Sequence, residues 1–264
     1  MSLPLSNLDL QAIQHVAELL GASRSVLFIT GAGVSADSGL PTYRGIGGLY
    51  NAEATDEGLP IEVALSGDVM HQRPDITWKY LAQIGRAAQG KRYNRAHEVI
   101  ALLERRFDRV CTLTQNIDRY HRQAGSRNVI EIHGDLFDLR CTACAFRQEV
   151  QDFDLLPIPP RCPECRAVLR PDVVLFGETL PEHKLEKLYQ ELDTGFDMVF
   201  SVGTTSVFPY IMQPVLLARQ LGWPTVEINP GESRVSNLVD IRIAAGAAAA
   251  LDAVWQELEK PLRG

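Results

Sequence analysis

Short unbroken apolar runs alternate along the chain with longer stretches in which apolar residues return every three or four positions. VLFIT (26–30), RVCTLT (109–114), VIEI (129–132), DMVFSVG (197–203) and PTVEIN (224–229) have the length and β-branched content of strands buried on both faces. QAIQHVAELL, RAHEVIALLERR, HKLEKLYQELD, PYIMQPVLLARQLG and AAAALDAVWQELEK repeat at helical spacing. Alternation of this kind predicts an α/β fold: a Rossmann-like, doubly wound parallel sheet with helices on both faces. Such sheets bind ligands at the carboxyl ends of their strands.

Two stretches break the alternation. Residues 46–95, with GGLYNAEATDEGLP and then VALSGDVMHQRPDITWKYLAQIG, predict a loop and several short helices inserted after the first strand and turn. Residues 135–171, rich in Pro, Cys and Arg, form a second insertion. The expectation is a discontinuous large domain of residues 1–45, 96–134 and 172–264. The helical insertion and the cysteine-bearing insertion would pack together as a smaller zinc-binding and helical domain.

At 264 residues and 45% hydrophobic, the chain is long enough for a full core plus a smaller module. A net charge of −7 argues against nucleic-acid binding, which draws mainly on a surplus of Lys and Arg. No uncharged apolar run reaches the roughly 18 residues of a membrane span. The N-terminal LSNLDLQAIQHVAELLGAS is an amphipathic helix pattern without the basic start and apolar core of a signal peptide. The expected location is the cytoplasm.

Residues 31–39 read GAGVSADSG directly after the first strand pattern. Gly31, Gly33 and Ala36 have the G-x-G-x-x-A spacing of a dinucleotide turn. The first glycine would make the turn, the second would let backbone approach a pyrophosphate, and the small third residue would let a helix pack on the sheet. A structural glycine turn is the simpler alternative. An ordinary dehydrogenase would place an acid about 20 residues later at the end of a second strand. That distance falls in GLYNAEATDEG, which follows no strand, so hydride transfer is disfavoured.

TQNIDRYH (114–121) puts Gln115, Asn116 and Asp118 where the sheet's ligands gather, although Asn116 or Asp118 could equally cap the next helix. EIHGDL (131–136) sets His133 at the end of another strand, with Gly134 permitting an abrupt exit. That position favours a general base over a merely structural histidine. CTAC (141–144) and CPEC (162–165), separated by 17 residues, have the spacing of a four-cysteine zinc site. Four thiolates from Cys141, Cys144, Cys162 and Cys165 would close the coordination shell, so the zinc would be structural. Cys111, inside a strand pattern, is expected to be a small buried hydrophobe.

With GAGVSADSGLPTYRG, TQNIDRYHRQAG, EIHGDL, the paired CxxC motifs, RPDVVLFGE, VGTTSVFP and EINPGE in this order, the chain resembles the sirtuins of the bacterial type. The resemblance spans roughly residues 20–246. It implies an NAD-dependent protein lysine deacylase that consumes NAD as co-substrate, releasing nicotinamide, free lysine and O-acyl-ADP-ribose. By position it implies that Gly31, Ala32, Gly33 and Ser35 lie against NAD, with Tyr43 and Arg44 on a cofactor loop above it. Gln115, Asn116 and Asp118 would line the ribose and nicotinamide pockets. His133 would be the base, and Asn116 would share in the chemistry. Gly203, Thr204 and Ser206 would hold phosphate or ribose, and Asn229 the adenosine ribose.

The run Val173–Phe176 has strand character, and a free edge through Val173, Val174, Phe176, Gly177 and Glu178 could take up an acyl-lysine peptide as an extra strand. Many relatives have Pro-Asp-Phe-Arg where this chain has Pro41, Thr42, Tyr43 and Arg44. Desuccinylases of this branch carry a Tyr-x-x-Arg pair in the helical insertion. Here Tyr80 is followed three positions later by Gln83, and the nearest arginine is Arg86. A neutral acyl group, acetyl above all, is therefore expected. The rival readings are a protein ADP-ribosyltransferase or NAD hydrolase using the same pocket, a non-catalytic NAD sensor, and a dehydrogenase.

Overall fold

The structure, a computed structural model, describes residues 5–42 and 54–260. Its larger sheet is six-stranded. In chain order the strands of the molecule are β1 (Ser25–Thr30), β2 (Arg109–Thr114), β3 (Val129–Glu131), β4 (Gly134–Cys141), β5 (Arg147–Glu149), β6 (Leu169–Val173), β7 (Met198–Val202), β8 (Thr225–Ile228) and β9 (Ile241–Ile243). The large sheet runs β3-β2-β1-β7-β8-β9, and every pairing in it is parallel. Ranked along the chain this is the 3-2-1-4-5-6 order of the dinucleotide-binding folds. The order reverses between β1 and β7, which puts the switch point beside Thr30 and Val202.

The helices are α1 (Asn7–Ala22), α2 (Ile61–Ala64), α3 (Gly67–Gln72), α4 (Pro74–Ala88), α5 (Arg95–Arg106), α6 (Tyr120–Gln123), α7 (Glu182–Thr194), α8 (Pro209–Leu221) and α9 (Ala247–Leu258). Alternate residues of β1 face opposite layers, as the period of two requires. Val26 and Phe28 join a core with Ile13, Val16 and Leu20 of α1, Val99 and Leu103 of α5, and Leu251 and Val254 of α9. Leu27 and Ile29 join another with Leu188 and Leu192 of α7 and Ile211 and Val215 of α8. Both faces being covered explains why the strands read as unbroken apolar runs. Cys111 lies buried in the second of these cores, as expected of a small hydrophobe.

The two insertions share a core of their own. Trp78, Leu81 and Ala82 of α4 pack with Leu136, Leu139, Phe153, Cys162 and Leu169. The Trp78 indole N–H donates to the Leu169 carbonyl at 2.8 Å. Gly85 has no room for a side chain, since a Cβ there would stand 2.5 Å from the Phe153 ring. A three-stranded antiparallel sheet, β5-β4-β6, completes this region.

The glycine turn departs from the sequence expectation. Residues Ala32–Ser38 form a 3-10 segment rather than an α-helix, closed by Gly39 in the left-handed conformation (φ 78°). The tighter winding turns Ala36 outward to solvent, while Val34 and Ser35 are buried. Close packing therefore falls to Val34, not to the small residue of the G-x-G-x-x-A pattern.

Candidate active site

The glycine turn is seated on the loop that follows β7. Gly31 N–H donates to Val202 O at 3.1 Å and Gly33 N–H to Gly203 O at 2.8 Å. A Cβ on Gly33 would stand 2.6 Å from Gly203 Cα, so neither position admits a larger residue. Gly203 also has a positive φ of 58°, which favours glycine independently.

Thr204 gathers the neighbouring loops. Its hydroxyl accepts from Gln115 Nε2 at 2.8 Å and from Ser206 N–H at 3.1 Å, and its carbonyl accepts from Asn229 Nδ2 at 3.0 Å. Ser206 adopts a left-handed φ of 52° and is buried. The carboxyl ends of β2, β7 and β8 thus meet through one threonine.

Asn116 is buried, yet only half of its amide is used. Nδ2 donates to Gly31 O and to Ser35 Oγ, both at 3.2 Å, while Oδ1 has no hydrogen-bond partner. Ser35 Oγ donates in turn to Asp118 Oδ2 at 2.7 Å, and Asp118 Oδ1 accepts from Tyr120 N–H at 3.0 Å. The capping alternative is therefore met in part by Asp118 and not by Asn116. Burial raises the Asp118 pKa against the opposing bonds from Ser35 and Tyr120. Asn116, Ile117 and Asp118 line a narrow cavity of about 30 Å³ together with Ala32, Ser35 and Pro41. An unpaired amide oxygen beside a buried carboxyl fits a ligand that carries an amide of its own.

His133 follows β3 and is half-buried. The chain leaves it through Gly134 at a φ of 89°, where a side chain would strike Asp172 O. Its Nδ1 lies 2.9 Å from the Gln115 carbonyl, which can only accept, so Nδ1 carries the hydrogen and Nε2 keeps a lone pair. Nε2 lies 2.7 Å from the Tyr210 hydroxyl, which accordingly donates to it. Burial pulls the His133 pKa down to about 4. The ring is neutral at pH 7, with its one basic lone pair on Nε2 engaged by Tyr210.

The expected peptide edge is shorter than its sequence pattern suggests: β6 ends at Val173. Val174 N–H then donates to His133 O at 2.8 Å and Phe176 N–H to Leu65 O at 3.1 Å, stitching the segment between the base and the helical insertion. Gly177 takes a φ of 82° and opens a turn in which Glu178 accepts from Leu175 N–H at 2.9 Å. The Glu178 carboxylate also holds both Arg170 terminal nitrogens, at 2.6 and 2.9 Å.

The four cysteines converge, with all ligand atoms within 4.8 Å of one another. Cys141 and Cys165 sulfurs are 3.4 Å apart, and Cys144 Sγ is 3.6 Å from Cys162 Sγ. Four thiolates at about 2.3 Å around one zinc would stand about 3.8 Å apart, so the cluster fits that ion.

Tyr43 and Arg44 lie outside the described residues. The sequence reading missed Tyr210, because its partner is 77 positions away and no local pattern marks it. It also missed Ile84 and Ala88 of α4, which line the cavity from the helical insertion, and Arg119, which binds Asp135, Asp138 and Glu149 across the small sheet. The left-handed φ of 66° at Arg119, immediately after the Asn116–Asp118 loop, had no sequence signal.

The model of the Sir2 family matches residues 31–209. An NAD-dependent protein deacylase 2 of Pseudomonas aeruginosa is 51% identical over 238 residues, covering 89% of this chain and 93% of that protein. A solved Sir2 homologue in complex with NAD superposes with a TM-score of 0.81 at 34% identity, covering 92% of this chain and 93% of that one. A Sir2 structure with a p53 peptide and NAD+ superposes at 0.79 with 26% identity, over 93% of this chain and 98% of that one. On the length of the family match and the half-identical relative, the chain belongs to the Sir2 family.

Proposed function

We propose that the chain is an NAD-dependent protein lysine deacylase acting on neutral acyl groups, acetyl foremost. The observation that carries this reading is the fixed tautomer of His133. A binding module or NAD sensor has no use for a neutral imidazole whose hydrogen is fixed on one nitrogen, leaving the other basic. The acid expected of a dehydrogenase is missing too, since β2 runs into Gln115 and Asn116.

In this reading NAD supplies an electrophilic ribose carbon once its nicotinamide leaves. Gly31, Ala32, Gly33, Gly203 and Ser206 hold its phosphates and ribose by close backbone approach, and Asn229 its adenosine ribose. Asn116 and Asp118 take the carboxamide: the unpaired Oδ1 of Asn116 accepts from it, and Ser35 keeps Asp118 aimed. Gln115 holds the base through its carbonyl on Nδ1, while its own side chain donates to Thr204. His133 then takes a proton at Nε2 from a sugar hydroxyl. The acyl-lysine peptide lies along Val173–Glu178. Tyr43 and Arg44 keep the cofactor-loop role that the family resemblance gives them.

Cys141, Cys144, Cys162 and Cys165 hold a structural zinc, which ties β4 to the Cys162–Cys165 turn and supplies no open coordination position. Among the described residues no helix is long and apolar enough to cross a membrane. We place the protein in the cytoplasm, where zinc-binding thiolates stay reduced.

Preference for a neutral acyl group is supported by where the cations go. Arg86 is paired with Asp154 at 3.0 Å and the Tyr80 hydroxyl donates to Glu57, so neither is free to hold an acidic acyl tail. The test is to incubate acetyl-lysine and succinyl-lysine peptides with the protein and NAD. The acetyl peptide should be deacylated and the succinyl peptide spared, with all activity gone in His133→Ala. Turnover of the succinyl peptide at an equal rate would contradict the acyl assignment.

A further inference from the structure

His133 has one basic lone pair, and a protein hydroxyl occupies it. The Gln115 carbonyl fixes the hydrogen on Nδ1, and the Tyr210 hydroxyl donates to Nε2 at 2.7 Å. An imidazole nitrogen of this type accepts one strong hydrogen bond in its ring plane. No ribose hydroxyl can pass its proton to Nε2 while Tyr210 remains there.

Tyr210 reaches this position for local reasons. It is the second residue of α8, whose first turn is set by Pro209 at its start. Its ring stacks on Phe208 at 5.5 Å and 14°, and both rings meet the imidazole nearly edge-on, at 82° and 86°. The phenol is held by that packing, and its oxygen bonds His133. Among the described residues two titratable groups act on the base: Tyr210 of α8, through its hydrogen bond, and Lys184 of α7, through its charge. Both disfavour the imidazolium, Lys184 by its charge and Tyr210 by bonding the neutral form.

We propose that Tyr210 is a positioning residue that reserves the basic nitrogen of His133 in the free enzyme and yields it to a sugar hydroxyl when NAD binds. The proposal rests on the deacylase reading for its catalytic meaning, though not for the hydrogen bond itself. Binding NAD would then break one hydrogen bond for each one it makes at Nε2. Removing the phenol oxygen relieves that competition. The chemical step, in which Tyr210 has already stepped aside, is left as it was.

The test compares the wild-type protein with Tyr210→Phe, which keeps the ring on Phe208. Long-range proton–nitrogen NMR at pH 7 reads the His133 nitrogens directly. The wild type should show Nδ1 protonated and Nε2 unprotonated but hydrogen-bonded, and the variant should show Nε2 shifted toward the free value. The dissociation constant for NAD, measured without peptide, should fall about two- to tenfold, the worth of one net hydrogen bond. The kcat for an acetyl-lysine peptide should stay within about twofold. Tyr210→Leu removes the ring as well, so an Nε2 shift shared by both variants traces to the lost hydroxyl and not to the stack on Phe208.

An Nε2 resonance unchanged in both variants would overturn the proposal. So would weaker NAD binding, or a kcat lowered tenfold or more, which would make Tyr210 a partner in the chemistry. If the wild-type protein leaves the acetyl group in place, the deacylase reading fails, while the NMR comparison still decides whether Tyr210 holds the base.

Discussion

Gly33 and Gly203 lie back to back, so close that a Cβ on the first would stand 2.6 Å from the Cα of the second. This contact joins the turn after β1 to the loop after β7 at the point where the strand order of the sheet reverses. Gly33→Ala should force the two loops apart at a cost of about 1–3 kcal/mol, the usual range for overpacking. Thermal unfolding should show a lowered midpoint, and calorimetric titration should show NAD affinity lost by a larger factor than stability alone explains. Wild-type NAD affinity in the variant would mean that the contact does not shape the site.

Metal removal should act locally. Cys141 and Cys162 lie in the same core as Trp78, whose indole N–H is bonded to Leu169. A strong chelator should release one zinc per chain and shift the emission of Trp78 to the red. The far-ultraviolet dichroism of the large sheet should be mostly retained. Cys162→Ser should reproduce the effect. Stoichiometric zinc without any response from Trp78 would argue that the metal does not organise this core.

The sequence made the large sheet legible because its strands are covered on both sides. VLFIT reads as an unbroken apolar run since Leu27 and Ile29 face one core while Val26 and Phe28 face the other. RAHEVIALLERR coincides with α5, its Asn94 cap accepting from Ala96 N–H at 2.9 Å. β4, β5 (RQE) and β9 (IRI) were missed, since charged residues interrupt each and leave no apolar run of the kind that marked β3. The spacing of Gly31, Gly33 and Ala36 correctly marked the turn after β1 but not its winding. The two cysteine pairs were legible from spacing alone. The bond between Tyr210 and His133 was not, because it depends on how α8 is docked.

Acidification should destabilise the protein through its buried histidines. His97 and His121 lie in one buried cluster, with ring centroids 4.8 Å apart. Burial lowers the His97 pKa to about 3 and takes that of His121 well below its ordinary value. Unfolded, each would bind a proton near pH 6.5. Between that value and the folded pKa the unfolded state holds more protons, so stability is full above about pH 6.5 and falls as pH drops. The slope is about 1.4 kcal/mol per pH unit for each histidine. Urea midpoints from pH 7.5 to 5 should show this decline, and His121→Asn should flatten it. A midpoint independent of pH over that range would contradict the neutral assignment.

Arg119 ties the residue after the Asn116–Asp118 loop to three carboxylates of the small sheet, Asp135, Asp138 and Glu149. Arg119→Ala would leave Asp135, whose pKa burial already raises, without its guanidinium. A loss of about 1–3 kcal/mol is expected in chemical denaturation. NAD binding should weaken with it if the clamp holds the loop. Unchanged stability would reduce these pairs to surface contacts.

If the chain deacylates lysine as proposed, the acyl group ends on the ribose of NAD. The most direct measurement is mass spectrometry of the nucleotide product after incubation with an acetyl-lysine peptide and NAD. O-acetyl-ADP-ribose should form in equal amount to nicotinamide and deacetylated peptide, and none of the three should form in His133→Ala. Nicotinamide accompanied by plain ADP-ribose or an ADP-ribosylated peptide, with the acetyl group still on lysine, would contradict it.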